Sequence, residues 1–198
     1  MKADTDYLAR TLASLKGPLV LVGHSYGGMV ITGAAEGNAN VKGLVFIAGF
    51  APEAGETAAA LSTKFPGSTL TPTLAPPVAL SDGTTDLYIQ MDKYHAQFCA
   101  DLPEPVARNM AATQRPATNL AFSETVRSAT WRTIPSWFVW GELDKNIPAA
   151  SHRFMAERAK AREALEVKGA SHVVFMSHAD TVANLIVRAA TKSVEARV

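Results

Sequence analysis

A chain of 198 residues with 47% apolar content is long enough for one domain with a real hydrophobic core, which excludes wholesale disorder. Its 19 Lys and Arg nearly balance 18 Asp and Glu, and the basic residues are scattered, which excludes a phosphate-tracking nucleic-acid surface. The longest apolar runs fall far short of the ~20 residues needed to cross a bilayer. The start, Met1-Lys2-Ala3-Asp4, has no signal-peptide core, so a cytoplasmic protein without membrane contact is the expectation. The single cysteine, Cys99, cannot form an intrachain disulfide and reads as a small buried hydrophobe.

In chain order, Tyr7, Leu8, Leu12 and Leu15 recur near helical spacing, which predicts a helix over Asp4 to Leu15 that Gly17-Pro18 ends. Leu19 to Val22 is a continuous apolar run, as expected for a strand buried on both faces of a parallel sheet. A helix rich in Ala and Gly follows from Tyr26 to Glu36. Further strands are predicted at Val41 to Ala48, Trp137 to Trp140 and Leu165 to Lys168, with helices at Ala149 to Ala161 and Val174 to Thr191. Strands alternating with helices imply an α/β domain, a parallel sheet with helices on both faces. No internal repeat is present, so residues 1–198 form one unit.

The alternation is interrupted from Ala51 to about Arg132. Thr69 to Thr85, full of Thr, Pro and Gly, predicts an extended excursion, and Leu87 to Met110 has helical spacing in Tyr88, Met91, Tyr94 and Phe98. An insertion at the C-terminal edge of a parallel sheet lies over the place where such sheets bind ligands, so a helical cap or lid is expected.

The strongest chemical signal is Gly23-His24-Ser25-Tyr26-Gly27, a G-x-S-x-G placed directly after a strand and before a helix. That turn lifts the Ser25 hydroxyl above the sheet and aims the helix N-terminus, with the Tyr26 amide, at a developing oxyanion. Serine alone is a weak nucleophile and needs a base within reach. His172, in Gly169-Ala170-Ser171-His172, follows the fourth strand, and Asp144, in Gly141-Glu142-Leu143-Asp144, follows the third. Three loops at one sheet edge can bring Ser25, His172 and Asp144 together in the order this chemistry uses. Glu142 remains an alternative acid. His24, on the elbow, supports its backbone or touches substrate, whereas His152 and His178 lie on predicted helices and His95 has no comparable placement. No metal-ligand spacing or phosphate loop is present, so neither a metal nor a cofactor is expected.

With these residues in view, the sequence resembles the α/β-hydrolase superfamily, and within it the small bacterial esterases related to plant methyl esterases and hydroxynitrile lyases. The resemblance is carried by Leu21 to Gly28, by Val45 to Pro52, by Ile134-Pro135-Ser136-Trp137 running into Gly141 to Asp144, and by Gly169 to His172. It implies an α/β-hydrolase fold whose last four strands and cap are present here. It also implies about seventy further residues ahead of the elbow, carrying the first strands and a His-Gly loop that gives a second oxyanion amide. No His-Gly segment precedes Ser25 in this chain. Losing one such donor costs about 10²–10³ in rate, and the strand Leu19–Val22 would keep an open edge. A shortened sequence, a homodimer through that edge, or Thr69 to Val78 folded back over it would each account for the short start.

Three functions remain open from sequence. One is hydrolysis of a small ester by an acyl-enzyme route, with Phe50, Tyr88 and Tyr94, together with Phe65, Met91 and Phe98, as candidates to line the substrate pocket. Another is a lyase or perhydrolase using the same site, for which a basic residue such as Lys93 or Lys145 would help. The last is an impaired hydrolase kept as a binding module.

Overall fold

In the computed structural model, which describes residues 1–195, four strands form one parallel sheet in the order β1-β2-β6-β7. These are β1 (Leu19–His24), β2 (Val41–Ile47), β6 (Ser136–Gly141) and β7 (Glu163–Val167). The middle strands carry the uninterrupted apolar runs. Leu44, Val45, Phe46 and Ile47 point alternately to opposite faces, yet all four are buried, so both faces of β2 are covered. Register places Phe46 beside Phe138, and their rings stack at 4.6 Å.

The covering helices are α1 (Lys2–Ala13), α2 (Gly27–Ala34), α7 (Ala149–Arg158), α8 (Val174–Ser177) and α9 (Ala179–Glu195). Helix α2 packs on β1 and β2 with α1 against it, α7 packs on β6 and β7, and α9 crosses β1, β2 and β6. A Cβ on Gly43 would meet the α9 residue Ser193 at 2.7 Å, so glycine there sets how closely α9 approaches the sheet.

Several sequence expectations are corrected. Leu12 is the buried residue of α1, whereas Tyr7 and Leu15 face solvent, because this helix packs against α2 along a stripe narrower than its apolar pattern. Strand β1 is an edge, hydrogen-bonded to β2 alone among the described residues, and Val22 is 40% exposed rather than buried. The segment Thr69 to Val78 does not cover that edge. Its start is tied to the other side of the site, where the Thr69 amide donates to the Lys145 carbonyl at 3.0 Å. The helix expected over Val174 to Thr191 breaks at His178, whose backbone leaves the helical region. Phe175 of α8 packs against the cap cluster as well as the main core, whereas Val182, Leu185 and Ala189 of α9 pack into the main core.

The insertion folds as a cap of short pieces. It holds α3 (Ala58–Ser62), a three-stranded antiparallel sheet of β3 (Val78–Ala79), β4 (Thr85–Leu87) and β5 (Ala117–Thr118), and the helices α4 (Met91–Phe98), α5 (Glu104–Thr113) and α6 (Asn119–Ser123). The helical stretch read from Leu87 to Met110 divides between Cys99, which leaves the helical region after α4, and Pro103, whose extended backbone caps the start of α5. Cys99, at the end of α4, is fully buried, and burial pushes its thiol up to about 11.

Candidate active site

Ser25 sits between β1 and α2 with φ +52, a left-handed conformation that non-glycine residues seldom adopt. Hydrogen bonds impose it: the Ser25 amide donates to Ile47 O at 3.1 Å, and its carbonyl accepts the amides of Gly28 at 3.0 Å and Phe50 at 3.1 Å. The chain can turn this sharply because two glycines remove side chains. A Cβ on Gly28 would stand 2.2 Å from Phe50 O, and one on Gly23 would stand 2.6 Å from Gly27 O. Strain of this kind costs about 1–3 kcal/mol and survives only where its surroundings over-determine it.

The other two loops converge on that hydroxyl. His172 Nε2 lies 2.9 Å from Ser25 Oγ, and His172 Nδ1 lies 2.7 Å from Asp144 Oδ2. Close passage of the loops is again a glycine effect, since a Cβ on Gly141 would meet the carbonyls of Ala170 and Ser171 at 2.3 Å. Asp144 is buried and fully engaged: Oδ1 accepts the amides of Asn146 and Ile147, and Oδ2 accepts both His172 and His152. Burial would raise its pKa, but the His172 charge and the two imidazole hydrogen bonds overcome it and hold the carboxyl well below the usual range. Glu142, the alternative acid, is exposed and accepts the Gly169 amide at 2.9 Å, bracing the histidine loop from outside.

Below the cap, an apolar cavity of about 330 Å³ opens onto Ser25 and His172. Phe50, Tyr94 and Phe98 line it, as does Tyr26, and the Phe98 ring meets His172 edge-on at 4.9 Å. Leu70, Leu74, Ile89, Phe122 and Ile147 add to the apolar wall, and Gln114 and Arg115 are among its polar residues. The Tyr26 amide stands at the N-cap of α2, and its phenol donates to Asp4 Oδ2 at 2.7 Å, tying the elbow to α1.

A model of the Alpha/beta hydrolase family matches residues 3–185. The chain belongs to that family. Among solved structures, polyneuridine aldehyde esterase superposes with a TM-score of 0.75 at 17% identity, covering 92% of this chain and 76% of that one. A tomato methylketone synthase I variant complexed with beta-ketoheptanoate gives 0.74 at 24% identity, covering 96% and 77%. A methylesterase from Arabidopsis gives 0.69 at 15%, covering 93% and 75%. These likenesses are of fold. By sequence, a pimeloyl-[acyl-carrier protein] methyl ester esterase of Xanthomonas campestris is 26% identical over 114 residues, 54% of this chain. A carbendazim hydrolyzing esterase of Nocardioides is 51% identical over 47 residues, 23% of this chain and 19% of its own length. The match to the Xanthomonas relatives spans 45% of their length, less than half.

Within this family member, some expected pocket residues are placed elsewhere. Tyr88 lies outside the cavity wall, and its carbonyl accepts the Ala75 amide at 2.8 Å beside the antiparallel bridge of Leu74 to Ile89, both of which do line the cavity. Met91 faces solvent, and Phe65 packs on Phe154 of α7. His24 is not in the wall either. It lies behind His172, with Nε2 3.0 Å from the His172 carbonyl and the rings 4.8 Å apart, so it holds the histidine loop instead of touching substrate. Neither Lys93 nor Lys145 reaches the cavity; Lys145 Nζ donates to Ala96 O at 3.0 Å. No cluster of metal-ligating side chains exists among the described residues, nor a helix long and apolar enough to cross a membrane.

Two residues of the site were not singled out by sequence. His152, buried on α7, reaches Asp144, and Asp101, after α4, accepts the Ser171 hydroxyl next to the histidine. Neither carries a local motif; each is identified only by where its element docks.

The buried imidazoles make stability depend on pH. Burial, then the nearby His172 charge, pushes His24 down to about 3 from an ordinary 6.5, and burial lowers His152 as well. Between those values the unfolded chain binds a proton at His24 that the folded chain does not. Stability therefore rises with pH across that window and is lost as pH falls through it. Asp144 acts in the same direction below about 4, where the unfolded carboxyl is protonated and the folded one is not. His24→Gln should reduce the slope of unfolding free energy against pH by about 1.4 kcal/mol per pH unit. Urea unfolding between pH 4 and 6 measures this, and an unchanged slope would show that His24 is not held neutral.

Proposed function

We propose that this chain hydrolyses a small carboxylic ester through an acyl-enzyme on Ser25. The observation that carries the reading is the relay itself: hydroxyl, imidazole and carboxylate joined at 2.9 and 2.7 Å beside an apolar cavity. Asp144 accepts the Nδ1 proton of His172, which leaves Nε2 as the acceptor for the Ser25 hydroxyl. The Ser25 oxygen attacks the ester carbonyl as His172 takes its proton. The tetrahedral oxyanion forms at the N-terminus of α2, where the Tyr26 amide donates to it. His172 passes its proton to the leaving alcohol, then takes one from water as the water oxygen attacks the acyl carbonyl, and returns it to Ser25 Oγ as that bond breaks and the acid is freed.

At about 330 Å³ the cavity lies at the small end of ligand pockets, and its wall is mostly hydrocarbon, which favours esters of small apolar acids or alcohols. The esterase names of the relatives agree with this reading. Turnover of p-nitrophenyl esters from acetate to laurate tests the assignment. A pre-steady-state burst with kcat/KM highest for the short and medium chains is expected. No turnover of any ester by folded protein, or a preference for laurate, would refute it.

The open edge of β1 is proposed to pair with β1 of a second copy, continuing the sheet across a homodimer. Sedimentation at micromolar concentration should give a dimer, and Val22→Lys a monomer; a monomeric parent would refute the pairing.

A further inference from the structure

We propose that His152 is a positioning residue for the hydrolytic relay, holding Asp144 against His172 and setting the pH at which His172 acts as base. The proposal rests on the Ser25–His172–Asp144 reading above and extends it to a fourth side chain.

His152 lies on the first turns of α7, eight residues beyond Asp144, where Pro148 starts the helix. Its side chain is 1% exposed and stacks on Trp140 at 5.7 Å, so it does not reach the cavity and cannot touch a substrate. Its Nε2 stands 3.2 Å from Asp144 Oδ2, the same oxygen that takes His172 Nδ1 at 2.7 Å. The longer bond identifies it as the secondary donor. With the amides of Asn146 and Ile147 on Oδ1, the carboxylate accepts four hydrogen bonds and cannot rotate without breaking several of them.

An N–H aimed at Oδ2 also disperses the charge that faces His172. Removing that donor leaves Asp144 a stronger base and a stronger partner for the imidazolium form of His172. The acid limb of kcat/KM should then move to higher pH. The other groups facing this relay are His24 behind the His172 ring, Glu166 beyond Trp140, and Asp101 on Ser171, and none of them changes in the variants below.

The test compares His152→Gln, whose amide can place a donor near Oδ2, with His152→Phe, which keeps the ring volume over Trp140 but has no donor. His152→Gln should keep kcat within about threefold of the parent and an unmoved acid limb. His152→Phe should lower kcat about 10–100-fold with KM little changed, the range seen when a side chain that orients a metal ligand is removed, and move the acid limb up by about one pH unit. If His152→Phe does not fold, His152→Asn, too short to reach Oδ2, takes its place with the same expectation. Labelling of parent Ser25 by a fluorophosphonate establishes the relay separately, so an unlabelled parent is a failure of that reading. A labelled parent whose donor-free variant keeps its kcat and pH profile overturns the role of His152, as does equal impairment of His152→Gln and His152→Phe.

Discussion

Ser25→Ala is expected to lower kcat for every ester substrate by about 10⁴–10⁶-fold, with KM changed only a few-fold. The substitution removes one oxygen from a cavity whose wall is mostly hydrocarbon, so ground-state binding is nearly untouched. What disappears is the bond-forming atom, and His172 is left with a base position that faces nothing reactive. Stability should barely change, because alanine inherits the same left-handed backbone with φ +52. Ser25→Gly, which carries no Cβ, should be inactive too but more stable by about 1 kcal/mol, since strain held for function is relieved. Steady-state kinetics and thermal unfolding of the two variants measure both effects. An active Ser25→Ala protein would place the chemistry elsewhere.

Asp144→Asn is expected to lower kcat by about 10⁴-fold at neutral pH. An amide nitrogen facing Nδ1 would favour the tautomer that puts a proton on Nε2, where it can no longer accept the Ser25 proton. Asp144→Ala should instead be felt in stability, at about 3–5 kcal/mol, the cost of breaking a buried pair by removing one partner. Four donors would lose their acceptor at once: two backbone amides and two buried imidazoles. Kinetics of the first variant and chemical unfolding of the second measure these effects. Parent-like values in both would mean that the carboxylate neither orients His172 nor anchors the loop.

The parts of this molecule that were legible in the sequence are those fixed by short-range pattern. Strands β2 and β6 read as unbroken apolar runs because they are central and covered on both faces. Ser25, Asp144 and His172 could be placed because each lies a few residues past the end of a strand of the parallel sheet, and parallel strands deliver those ends to one edge. Leu19 to Val22 looked the same as the central runs, since a run of hydrophobes does not say whether a neighbouring strand exists. The cap was foreseen as an insertion but not as a small sheet, because strands of two or three residues arise from tertiary pairing and leave no periodicity. His152 was passed over for a related reason. A helical position gives the spacing of a side chain, whereas its partner depends on how α7 seats against the loop after β6.

The relay from Ser25 to Asp144 is tested most directly by treating folded protein with a fluorophosphonate and mapping the adduct by peptide mass spectrometry. A single stoichiometric adduct on Ser25, lost or slowed at least a thousandfold in His172→Ala, is the expected result. No adduct on the folded parent, an adduct on another serine, or undiminished labelling without His172 would contradict it.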